Sequence, residues 1–126
     1  MDYSSEVVRR FGSPGRVGEL AKDLAGVVTG AAEDRSLSVW VRFQVQILAG
    51  RIERVRYQVY GCPHTIAAVS WVAEWLEGSE PEALAQLDVQ MLAKRLDLPV
   101  EKMGKLLRIE DALQACRHEW KQTVAS

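Results

Sequence analysis

Residues 55–78, VRYQVYGCPHTIAAVSWVAEWLEG, change hydrophobic period halfway along. Val55, Tyr57 and Val59 alternate with Arg54, Arg56 and Gln58, the two-residue period of a strand with one buried face. After Gly61-Cys62-Pro63, residues 65–77 are apolar almost all round, which marks a helix buried on most sides, and Gly78 suits its C-terminal cap. A thiol therefore stands where a strand feeds a helix. Pro63 falls in the first turn, where a missing N–H costs nothing, and the helix N-terminus favours a thiolate. Two readings of Cys62 are open: an activated thiol, or a small hydrophobe kept for packing.

Upstream, Leu37, Val39, Val41, Phe43, Val45 and Ile47 alternate with Ser36, Ser38, Trp40, Arg42, Gln44 and Gln46. This predicts a strand over 36–47, a turn at 48–51, and an antiparallel hairpin with the strand at 52–60. Arg42, Arg54 and Arg56 then share the outer face, either as a solvated surface that discourages edge pairing or as an anion site. Trp40, on that polar side, reads as a partner surface or as a residue covered by a loop or the first helix. Further upstream, Tyr3, Val7 and Phe11 form the stripe of a short helix capped by Ser4 or Ser5 and ended by Gly12-Ser13-Pro14-Gly15. Residues 19–24 suit a turn or two of helix, and 26–35 an irregular connection. Downstream, 81–87 reads as a short helical piece, Asp88 caps a helix over 89–96, Leu98-Pro99 breaks the chain, and helices follow at 100–107 and 109–124. Strands first and helices afterwards predict an α+β fold, a small antiparallel sheet with helices packed on one face, in one domain over 1–126.

The chain has 126 residues, 48% hydrophobic and 26% charged, with a formal net charge of −1. That charge argues against bulk phosphate neutralisation, so nucleic acid is not an expected partner. Residues 1–6 lack a basic segment followed by an apolar one, so no signal peptide is expected. The longest apolar stretch, 65–76, is too short to span a bilayer and contains Glu74, so no membrane association is expected. The expected setting is the cytoplasm, where Cys62 and Cys116 are free thiols. Phosphate-loop, Ser/His/Asp and HExxH patterns are absent, and a catalytic role is not expected.

Three segments, in order, carry a resemblance. "MDYSSEVVRRFGSPGRVGEL", "YQVYGCPHTIAAVSWVAEWLEG" and "LDLPVEKMGKLLRIEDALQA" resemble the opening, the strand–Gly-Cys–helix core and the Leu-Pro-Pro-Val-Lys to Glu-Asp-Ala segment of the NifU/IscU-type iron–sulfur cluster assembly scaffolds. The resemblance implies the IscU/NifU-N-like (SufE/NifU) fold. It also implies partners such as a cysteine desulfurase, a chaperone or another scaffold protomer, with a homo-oligomer among the arrangements. Members of that family hold a nascent cluster with three cysteines, assisted by an Asp and a His, because iron in such clusters takes chiefly thiolate ligands.

Carried over position by position, the middle cysteine is Cys62. The His-Cys pair reads Gly104-Lys105, and the Cys-Gly-Asp triplet reads Leu37-Ser38-Val39, with Glu33-Asp34 as an alternative source of the carboxylate. The chain has no cysteine before Cys62. Iron or a cluster is thus implied by resemblance, while the residues predict no stably bound one. Lys105 is expected beside Cys62 as its electrostatic partner, making Cys62 a candidate sulfur acceptor. His64 forms a Cys-x-His pair with Cys62 that could begin a zinc site, but two ligands fall short of the four that a structural site needs, and joining Cys116 and His118 to them requires the last helix to cross the Cys62 loop. Otherwise His64 reads as an exposed loop residue. Leu98, Pro99, Val100, Glu101 and Lys102 stand at the family's chaperone-recognition segment, and otherwise form a loop between helices. Three functions remain open: a scaffold-like accessory or partner-binding module, a single-thiol persulfide relay, and a structural subunit whose partner supplies the missing ligands.

Overall fold

A computed structural model describes residues 3–21 and 23–125. Helix α1 (Ser5–Gly12) precedes strands β1 (Val27–Asp34), β2 (Val39–Leu48) and β3 (Arg51–Tyr60), followed by α2 (Pro63–Leu76), α3 (Val89–Leu96) and α4 (Met103–Ala125). Among the described residues the sheet is antiparallel in the order β1-β2-β3. Ala49 and Gly50, both at positive φ, make the tight turn of the predicted hairpin, whose twist matches that of the strands. The inward stripe Val41, Phe43, Val45, Val55 and Tyr57 is at most 1% exposed. It is covered by α2 and α4, the latter lying across β1 and β2. Helices on one face of an antiparallel sheet are the predicted α+β arrangement.

Four local expectations are corrected. Residues 26–35 contain β1 rather than an irregular connection. Its Gly30 and Ala31-Ala32 are weak strand formers, and its place comes from pairing with β2 and from close approach to α4. A Cβ on Gly30 would collide with the Ala112 carbonyl and the Cys116 backbone. Residues 19–21 and 23–24 are not helical (Lys22 lies outside the described residues). The chain there crosses the polar side of the sheet, Leu20 N donating to Gln44 Oε1 at 2.8 Å and Gln46 Nε2 to the Ala25 carbonyl at 3.1 Å. These bonds satisfy two glutamines that the crossing buries. The strand predicted from residue 36 begins at Val39, because Asp34 caps a 3₁₀ turn over Arg35–Leu37 that ends at Ser38 with φ 52°. Finally, the two helices expected over 100–124 are a 3₁₀ turn at Val100–Lys102 and one continuous α4, since Leu107 and Arg108 are compatible with helix and nothing there breaks it.

The segment 16–18 lies along the free edge of β3, where Tyr57 N donates to the Arg16 carbonyl and Gly18 N to the Tyr57 carbonyl. On the outer face the arginines are shared among neighbours. Arg42 meets Gln58 and Glu19, and Arg56 meets Glu77. Trp40 is half-buried, between Glu33 and Tyr60 in the sheet register.

Candidate functional site

Pro63 opens α2, so Cys62 takes its N-cap position with extended backbone (φ −77°, ψ 169°). The sulfur is half-buried and lies 3.5 Å from Thr65 Oγ1, one turn into the helix. The first turn of α4 comes from the other side: Lys105 Nζ donates to Cys62 Sγ at 3.6 Å. Lys105 and Cys62 are 43 residues apart, and the two helix starts bring them together.

Burial opposes ionisation of Cys62. Stronger together are the Thr65 hydroxyl and backbone N–H, then the charges of Lys105 and Lys102, and they hold the thiol at about 7. A nucleophilic thiolate is therefore well populated at neutral pH. Thr65 was outside the predicted set, and Lys102 was in it only as part of the chaperone-recognition segment, not as a neighbour of Cys62. The i, i+3 spacing of Cys62 and Thr65 at a helix start was the available signal for the first. For the second, no sequence signal pointed to a place beside Cys62.

Gly104, next to Lys105 in the chain, packs against Leu37. A Cβ on Gly104 would stand 3.0 Å from Leu37 Cδ1, so the leucine occupies room that glycine leaves open. Val39, two residues on, is 3% exposed and part of the apolar interior. Asp34 accepts from Ser36 Oγ at 2.6 Å and from Leu37 N, and lies 3.9 Å from Arg108. The Ser36 hydroxyl chiefly, with Leu37 N–H and Arg108, outweighs partial burial and holds this carboxyl below the usual range.

His64 departs from its expected loop position. It is in the first turn of α2, 2% exposed, with its ring edge-on to Tyr3 at 4.6 Å and its Nδ1 without a hydrogen-bond partner. Burial first, then Lys102 and Lys105, lower its pKa below the ordinary imidazole value. Tyr3, just ahead of α1, supplies part of the physical reason, since its ring packs on the imidazole. Cys116 is fully buried, its thiol donating to the Phe43 carbonyl at 3.8 Å, whereas His118 is exposed and paired with Gln122. Among the described residues, no three His, Cys, Asp or Glu side chains are grouped to hold a metal ion.

Leu98 packs against the core, Pro99 begins the 3₁₀ turn, and Val100 is 82% exposed beside a groove lined by Ala93, Lys94, Asp97 and Met103. A wider cleft lined by Glu6, Asp88, Met91, Lys94 and Arg95 shares Lys94 with that groove and contains no thiol. The thiol–amine pair is therefore the chemically distinctive site. Among the described residues, no helix is long and apolar enough to cross a membrane.

The iron-sulfur cluster assembly scaffold protein IscU of Haemophilus influenzae is 30% identical over 122 residues, covering 96% of this chain and 97% of the relative. Iron sulfur cluster assembly protein 2, mitochondrial, of Saccharomyces cerevisiae is 29% identical over 121 residues, covering 94% of this chain and 78% of the relative. The crystal structure of a nitrogen-fixing NifU-like protein (N-terminal) from Brucella abortus superposes with TM-score 0.72 at 17% identity, covering 94% of both chains, which shows a shared fold. The NifU-like N-terminal domain model matches residues 2–125, so it takes in every element from α1 to α4 and the Cys62 corner itself. The chain belongs to the NifU-like N-terminal domain family.

Proposed function

We propose that this protein is a scaffold-like member of iron–sulfur cluster biogenesis that lacks most cluster ligands and acts as an accessory or partner-binding module. Its relatives are named as cluster assembly scaffolds. The observation that carries the reading is the environment of Cys62. An ammonium lies 3.6 Å from the sulfur, and at the carried-over positions Leu37 rests on Gly104 while Val39 is buried. A cluster is cargo for such a protein, and its iron needs thiolates. One thiol with an amine, and no donor at the other carried-over positions, does not fit that donor set. Burying a side chain of the size of Leu or Val contributes roughly 1.5–3 kcal/mol, so the exchange of ligands for aliphatic groups favours the fold. The partners consistent with the resemblance are a cysteine desulfurase, a chaperone or another scaffold protomer, in the cytoplasm.

Anaerobic reconstitution with iron and sulfide tests the ligand argument. The native chain gives no stoichiometric chromophore, and the variant Leu37→Cys/Val39→Asp/Gly104→His/Lys105→Cys gains one. A stable cluster on the native chain ends the proposal. Capture by an immobilised cysteine desulfurase tests the module, which predicts equal retention of the native chain and Cys62→Ser.

A second reading rests on the thiol held at about 7 beside Lys105. Cys62 thiolate would attack the outer sulfur of a desulfurase persulfide. A new S–S bond forms to Cys62, the old one breaks, and the donor cysteine leaves as thiolate. Persulfide on the native chain that disappears in Cys62→Ser favours this relay, and failure to bind the desulfurase removes both readings.

A further inference from the structure

The start of α4 and the start of α2 meet through one polar contact between two nucleophiles, Lys105 Nζ and Cys62 Sγ at 3.6 Å. Nitrogen and sulfur are already at van der Waals distance, and the sulfur is half-buried, within reach of a small oxidant. The two groups sit on separate helices, so a bond between them would tie the elements on either side of the site. We propose that Cys62 and Lys105 form a reversible covalent redox lock, in which a hydroperoxide drives a sulfur–nitrogen bond between the two side chains.

The chemistry balances with that single oxidant. The Cys62 thiolate attacks the hydroperoxide. An S–O bond forms, the O–O bond breaks, sulfur is oxidised by two electrons, and the reduced oxidant leaves as alkoxide or hydroxide that takes a proton from solvent. The Lys105 ammonium then passes one proton to the sulfenic hydroxyl, which departs as water while the nitrogen lone pair attacks sulfur. Nitrogen releases its second proton to solvent. The product is a sulfenamide. In sum, the thiol and the amine each lose one hydrogen, and hydrogen peroxide becomes two waters. Condensation of a sulfenic acid with a nearby nitrogen is an established fate of such species, and it protects sulfur from irreversible oxidation. A second thiol reverses it by attacking sulfur, forming a mixed disulfide and freeing the amine. The lock does not depend on whether Cys62 carries sulfur in the cell. Its consequence is to withdraw the one reactive thiol and fix the position of the 3₁₀ turn that leads into α4.

Cys116 is the internal control. It is fully buried among β1, β2 and α4, and its surroundings disfavour the thiolate. The full chain, treated with hydrogen peroxide at neutral pH, is read by intact mass and by mapping after proteolysis. The expected result is a species lighter by two hydrogens, a linked peptide pair containing Cys62 and Lys105, and full reversal by dithiothreitol. Lys105→Arg keeps the charge but should give no linked pair, and its Cys62 should advance to sulfinic acid several-fold faster. Equal progress of Cys62 to sulfinic acid in both proteins with no linked peptide overturns the proposal, as does a disulfide between chains as the main product.

Discussion

The two cysteines of this protein are a matched experiment in environment. Cys62 stands at the N-terminus of a helix, half-buried, with a hydroxyl, an open backbone N–H and two lysines around it, and its thiol is held at about 7. Cys116 stands inside a helix, sealed against the sheet, and burial, with the nearby Glu119 charge, pushes its thiol up to about 12. Both are on helices packed against the same sheet. The difference teaches that depth alone does not decide reactivity. Cys62 also suffers desolvation, but hydrogen bonds and cations overcome it, whereas at Cys116 the Phe43 carbonyl accepts from the neutral thiol and stabilises it.

The largest expected effect is on alkylation. At pH 7 roughly half of Cys62 is thiolate, against about one part in 10⁵ for a thiol with the properties of Cys116. Iodoacetamide followed by mass spectrometry should label Cys62 at least about a thousandfold faster, with Cys116 labelled only when the chain opens. Comparable native-state rates would break the comparison. Two variants sharpen it. Thr65→Val should move the Cys62 rate midpoint upward from about 7, and by more than Lys105→Gln does, because the Thr65 hydrogen bond outweighs the lysine charge.

Next in size is a contrast in packing, measured by urea denaturation. Gly30→Ala, against Ala112 and Cys116, meets backbone that cannot yield, and should cost about 3 kcal/mol or more. Gly104→Ala, in the first turn of α4 next to Lys105, meets only the flexible end of Leu37. Removing a helical glycine gains up to about 1 kcal/mol, so this variant should be neutral or slightly stabilised. Equal losses at the two glycines would show that the Cys62 side is as tightly packed as the Cys116 side.

The smallest effect is on stability against pH, and the two thiols act in opposite senses. Cys62 has a folded value below that of a free thiol, about 8.5, so its contribution is present above 8.5 and is lost as pH falls through about 7. Cys116 has a raised value, so its contribution is present below about 8.5 and is lost as pH rises toward about 12. Urea midpoints between pH 6 and 10, windows set by these values, should show the neutral-range rise vanish in Cys62→Ser. The alkaline decline should persist in that variant. A Cys62→Ser profile that keeps the rise would assign it to another group.

The residues by themselves determined the β2–β3 hairpin, the strand-to-helix step at Cys62 and the capped helices. Each of these is written in local period and capping chemistry, such as the Val41 to Ile47 alternation, Pro63 at a helix start, and Ser4 and Asp88 ahead of theirs. That no cysteine precedes Cys62 was equally legible, because absence of a residue type needs no geometry. Only the tertiary structure decided that the small residues of β1 form a strand, that Gln44 and Gln46 are covered, that His64 is buried, and that Lys102 joins Lys105, expected there from the resemblance, at Cys62. These depend on contacts between segments far apart in the chain. A glycine tolerates a strand because α4 needs its emptiness, and a lysine depresses a thiol because two helix starts converge. No local pattern records either fact.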